Sequence, residues 1–147
     1  LKKLIYIISL SLSLTLVGCG LQNVSKENQI PVAGKIIVDN SEYEMKVGRY
    51  NWEGENTKIK RVENFSPIKI AKDFETLKVE KNEKIKLVIE DNPDLTVYLW
   101  SEDGKSKGVN LKQNYITVPS KSGYFIYEVV GKWSDGEASY IFDVEIK

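Results

Sequence analysis

The chain has 147 residues, with 21 Lys and Arg against 21 Asp and Glu, one cysteine and no histidine. The missing histidine excludes Ser-His-Asp and Cys-His nucleophiles and every histidine-bearing zinc site. A lone cysteine excludes an internal disulfide and a structural zinc, and the even charge balance gives neither the basic footprint of a nucleic-acid binder nor a polybasic patch for anionic lipid.

Lys2 and Lys3 open the chain and are followed by the 14-residue apolar run Leu4–Val17. Leu10–Leu16 alternates apolar and polar residues, which taken alone would indicate a half-buried strand. Its position after two lysines and before Gly18 reads instead as an export signal. The run is also shorter than the roughly 20 residues of a spanning helix, so a cleavable signal helix over 1–18 is expected rather than a retained membrane span. The run ends in Leu16-Val17-Gly18-Cys19, which resembles the lipobox of bacterial lipoproteins. That resemblance implies cleavage before Cys19, diacylation of its sulfur, and anchoring of the protein by lipid at the extracytoplasmic face of the cell membrane. Acylation would also account for an unpaired cysteine in an exported chain. The mature chain would keep 129 residues, one domain's worth, with a net charge of −2 once Lys2 and Lys3 are removed.

Gly20–Pro31 is polar and without period, so residues 19–33 read as the lipidated cysteine and a flexible tether. The twelve residues Gly20–Pro31 span at most roughly 40 Å extended and about 20 Å relaxed, which keeps the folded part near the lipid surface. From residue 34 the pattern is strand, turn, strand. Lys35–Asp39 is a β-branched run. Glu42–Val47 alternates Tyr43, Met45 and Val47 against Glu42, Glu44 and Lys46, and Gly48 is expected to break it before Arg49–Trp52. Thr57–Val62 alternates around Ile59, and a helical turn is expected near Lys72–Glu75. Thr76–Val79 and Lys84–Glu90 follow, the latter turning Ile85, Leu87 and Ile89 inward before the strong turn Asp91-Asn92-Pro93-Asp94. Leu95–Trp100 is apolar enough for both faces to be covered, and Glu102-Asp103-Gly104-Lys105 is a hairpin turn. After Tyr115–Val118 come the two longest strands, Tyr124–Val130 and Ala138–Ile146, joined through a second Asp-Gly turn at Asp135-Gly136.

Eight to ten short strands at roughly 8–12-residue spacing indicate an all-β fold over 34–147, expected as an immunoglobulin-like antiparallel β-sandwich. Tyr124, at a strand start after Pro119 and Gly123, is the candidate for a corner tyrosine bonded to upstream backbone. The body is similar to small β-sandwich domains in lipoproteins of Gram-positive bacilli. The likeness rests on Gly48–Trp52, Val97–Trp100, Gly123–Tyr127, Trp133 and Ala138–Phe142. These motifs are aromatic and structural, and the resemblance implies a fold and an address in such a bacterium without an activity, cofactor or ligand.

Candidate chemistry is correspondingly spare. Tyr50, Trp52, Tyr98, Trp100, Trp133 and Tyr140 either fill the core, as large aromatics in small sandwiches do, or form a platform for a sugar or peptide. Trp52, Trp100 and Trp133 are the candidate ligand contacts, the last two because each stands at a strand end beside a glycine-containing turn. Asp91, Asp94, Asp103, Asp135 and Glu137 are turn acids without a calcium-loop run. Lys58, Lys60, Lys69, Lys72, Lys84 and Lys86 read as solvated strand faces. No phosphate loop or nucleophile motif is present. Catalytic and metal residues are therefore expected to be none, and cofactors none. The functional expectation is a non-enzymatic module that is held to the membrane by its N-terminal lipid and binds an envelope protein or polymer. The alternatives are an inhibitor or immunity-type lipoprotein acting on a surface hydrolase through Asp103–Lys107 or Ser134–Glu137, and a carboxylate-dependent hydrolase.

Overall fold

The computed structural model describes residues 32–55, 58–62 and 64–147. The expected signal segment 1–18, Cys19 and most of the tether lie outside the described residues.

Eleven strands and one short helix make up the described chain. They are β1 (Gly34–Val38), β2 (Ser41–Glu44), β3 (Lys46–Glu53), β4 (Lys58–Arg61), α1 (Pro67–Ala71), β5 (Leu77–Val79), β6 (Lys84–Ile89), β7 (Asp94–Trp100), β8 (Ser106–Val109), β9 (Tyr115–Thr117), β10 (Gly123–Trp133) and β11 (Gly136–Ile146). They form two sheets, a smaller one in the order β2-β1-β6-β9 and a larger one in the order β4-β3-β11-β10-β7-β8. Pairing is antiparallel except where β5 runs parallel to Val144–Ile146 of β11. The inner faces share one core: Ile36, Ile85, Leu87 and Ile116 from the smaller sheet meet Val97, Tyr127, Val129, Tyr140, Phe142 and Val144 from the larger. Tyr127 and Phe142 stack at 5.0 Å between ring centroids. The fold is thus all-β, with the two sheets packed face to face as the alternating patterns require.

The outer face of the larger sheet is covered as well. Between β4 and β5 the chain crosses it through Phe65–Phe74. Ala71 packs on Ile126 and Ile141, with Phe65, Ile68, Ile70 and Trp100 around them. This is why β10 and β11 carry apolar residues on both faces and read as near-continuous hydrophobic runs. The helix forms one turn earlier than the sequence pattern suggests. Ser66 caps it, its hydroxyl accepting from the Lys69 amide at 3.4 Å, and Pro67 occupies the first helical turn.

Two other local expectations change. Glu42–Val47 is two strands, with the change at Met45, which is buried while Tyr43 stays exposed on the edge strand β2. Gly48 does not end a strand but lies within β3. It faces Ser139, where the β11 register shifts between Ala138 and Tyr140, and a Cβ at 48 would overlap the Ser139 hydroxyl. The bulge aims that hydroxyl at the strand, where it accepts from the Arg49 amide at 3.0 Å.

Tyr140, not Tyr124, makes the long-range bond to upstream backbone. Its buried hydroxyl donates to the Val32 carbonyl at 3.0 Å, and Val32 is itself buried. Tyr124 is 43% exposed, and its hydroxyl donates to the Asp143 carboxylate rather than to backbone.

Candidate functional site

Two concave places matter, and they lie at opposite ends of β7. A strand of seven residues spans roughly 20 Å, so they are separate sites.

The first is a groove of about 570 Å³ at the start of β7, walled by Trp52 and Trp133 and rimmed by Asp91, Asp94, Lys132 and Asp135. Its shape follows from two turns. In the β6–β7 turn Asp91 and Asn92 take φ of 60° and 45°, the left-handed region that Asp and Asn tolerate best among side-chain-bearing residues. At the β10–β11 hairpin Gly136 has φ 153°, and a Cβ there would run into the backbone of Asn51 and Trp52. Gly136 therefore lets β3 lie against the hairpin tip, with Trp52 opposite Gly136 and the Glu53 amide bonded to the Asp135 carbonyl at 2.8 Å. Trp52 is buried and Trp133 half-buried. The two indoles meet edge to face, 5.1 Å between centroids at 60°, a favourable aromatic geometry. The Trp133 ring lies over Gly131, which Pro93 also borders, and its Nε1 donates to the Glu90 carbonyl at 3.2 Å. Trp133 is therefore held from three sides before any ligand arrives.

The second is a more apolar cleft of about 530 Å³ at the far end of β7, lined by Trp100, Tyr124 and Phe125 with Glu102, Lys105 and Lys107 at its rim. Trp100 is turned inward. Its Nε1 donates to Glu128 Oε2 at 3.0 Å, while Arg49 Nε donates to Oε1 of the same carboxylate at 3.0 Å. Glu128 is 1% exposed, so this ion pair replaces water for a charge that burial would otherwise penalise heavily. Close by, Asp143 is also 1% exposed, and its Oδ1 has no partner. Burial raises its pKa, opposed by hydrogen bonds from Tyr124 and Thr76. The Tyr124 phenol is raised in turn, first by burial and then by Asp143. In the adjoining hairpin turn the Asp103 carboxyl is held below its usual value by the Ser101 hydroxyl and then by Lys105, whose Nζ stands 3.1 Å away.

The three candidate tryptophans are therefore not one platform. Trp52 and Trp133 share a groove, and Trp100 belongs to the other cleft. Of the five turn acids, Asp91, Asp94 and Asp135 come to the Trp133 groove, whereas Glu137 faces Arg49 at 3.9 Å. Among the described residues no three acids stand close enough to hold a metal ion. Of the lysines expected on strand faces, Lys58, Lys60 and Lys84 are exposed there and Lys86 is half-buried, whereas Lys69 and Lys72 are exposed on helix α1 and at its C-cap, because Ser66 and Pro67 start a helix there. The Arg49–Glu128–Trp100 cluster and Asp143 went unnoticed in the sequence. Their signal is a single acid inside an apolar strand: Glu128 in Tyr124–Val130 and Asp143 in Tyr140–Val144. Comparison with known proteins finds no matching family model, no matching curated protein and no matching solved structure.

Proposed function

We propose that this chain is a non-enzymatic binding module, lipid-anchored through Cys19 on the extracytoplasmic face of a Gram-positive membrane, which holds an envelope protein or polymer in the Trp133 groove. The observation that carries the reading is the groove itself: a half-buried indole fixed by Trp52, Gly131 and the Glu90 carbonyl, surrounded by polar side chains. An aromatic wall positioned before binding, with a few convergent polar groups, is the usual composition of a ligand site. The address rests on the lipobox-like Leu16–Cys19 and the apolar run before it. The immunoglobulin-like form of the sandwich is supported by β11-β10-β7-β8 in one sheet and β6 beside β9 in the other, the adjacencies of the G-F-C and B-E strands of that fold. Pull-down from envelope extract with the full chain and its Trp133→Ala variant tests the function. Capture by the native chain alone is expected; equal capture by both, or by neither, overturns it.

A second reading has its own observation. The turn Ser101–Lys105, which joins β7 to β8, has every residue exposed, yet it is braced by Asp103 bonding to Ser101 and Lys105. An exposed turn braced in this way suits an inhibitor that blocks a surface hydrolase. Slowed turnover in lytic-enzyme and protease assays on adding the protein would support it, and unchanged rates would remove it.

A further inference from the structure

We propose that the ligand group taken by the Trp133 groove is an organic cation, an alkylammonium head held between indole and carboxylates; this rests on the reading of that groove as the binding site. The charge of the lining decides the class. Asp91, Asp94 and Asp135 face one opposing charge, Lys132, so the groove carries a net charge of −2. None of the four is in an ion pair among the described residues, and Asp135 has only the Ser134 hydroxyl, 3.2 Å away, as a side-chain partner. What sets this place apart is that three acids and a single lysine border the same groove as the two tryptophans.

The lining favours a larger cation than a metal ion. Among the described residues no three acids come together as a metal site, and calcium for one needs about six to eight oxygens at short range. A groove of about 570 Å³ suits a polyatomic cation that touches several acids from its own perimeter. Trp is the strongest aromatic partner for such a group, because the negative ring face attracts a diffuse positive charge that needs no hydrogen bond. A neutral sugar would use the indole but gain nothing from a net charge of its lining. An anion would be repelled.

The test uses the full chain in detergent, with choline and ethanolamine as cationic probes and, as control, the neutral analogue of choline in which carbon replaces nitrogen. Binding is followed by the shift of the Trp133 indole N–H resonance. Saturable binding of choline or ethanolamine is expected, with the neutral analogue at least about tenfold weaker. Tighter choline would mark a methylated head held mainly by the indoles, and tighter ethanolamine a primary ammonium donating to the acids; either supports the inference. Asp91→Asn/Asp94→Asn, which keeps the turn residues polar and similar in size, is expected to weaken binding by about tenfold and flatten its salt dependence. No saturable shift with either cation, equal binding of the neutral analogue, or full affinity in the double variant each overturns the inference. If the native chain still captures an envelope component through Trp133 under those outcomes, the binding reading stands and only the ligand class falls.

Discussion

Replacing Tyr140 by Phe keeps the ring and removes one oxygen. The ring is fully buried and lies flush on Gly34 of β1, where a Cβ would stand 2.7 Å from it, so no cavity opens and packing is unchanged. What disappears is the hydroxyl that donates to the Val32 carbonyl at 3.0 Å. A buried acceptor left without its donor costs about 1–3 kcal/mol, more than the net value of an average hydrogen bond, because water cannot replace the partner. For a domain of this size that corresponds to roughly 3–6 °C in Tm per kcal/mol. Urea denaturation should show a lower midpoint with an unchanged m-value, since the surface exposed on unfolding is the same. Hydrogen exchange should quicken first in β1, the strand that follows Val32. A midpoint equal to that of the native chain, or a loss spread evenly over all strands, would refute the view that this single bond fastens the start of the domain.

Other substitutions probe the outer face and the bulge. Arg49→Met should cost about 2–3 kcal/mol in urea denaturation, because Glu128 would keep a buried charge with only the Trp100 N–H; an unchanged midpoint would mean water already reaches Glu128. Gly48→Ala should cost about 1–3 kcal/mol by the same measurement, since the new Cβ meets Ser139 and Phe65, and a neutral result would show that the bulge yields freely. Asp143 has a raised pKa from burial, so the folded state holds its proton above the ordinary carboxyl value of about 3.9 and stability contributed by this group falls as pH rises through that window. Relative to Asp143→Asn, native stability should therefore decline as pH rises above about 4. A constant or growing advantage of the native chain on raising the pH from there would contradict the assignment.

Alternation and turn chemistry made the strands legible. Lys84–Glu90 and the Asp-Gly hairpin at 135–136 correspond closely to β6 and the β10–β11 tip, because a one-residue slip would turn Ile85 and Leu87 to solvent. β8 was not visible, since Ser-Lys-Gly-Val has no apolar alternation; it is an exposed edge strand fixed by its partner β7. Helix α1 lies earlier than the sequence pattern suggests because the apolar pattern of Ile68 and Ile70 is too short to have a period, and its local signal is the Ser66-Pro67 cap. Gly48 misled for a physical reason: a glycine can end a strand or let another chain approach, and only the position of Ser139 decides between them. The site was half legible. A tryptophan beside a turn pointed to Trp133, but long-range register alone brings Trp52 to it and separates Trp100 from both.

The anchored address is the claim on which the proposed function depends, and the mass of the mature N-terminal peptide tests it most directly. Protein from the membrane fraction of a Gram-positive host is expected to yield no peptide from residues 1–18 and a first residue Cys19 carrying two acyl chains. An unmodified Cys19, or a retained Leu1–Gly18, would contradict it.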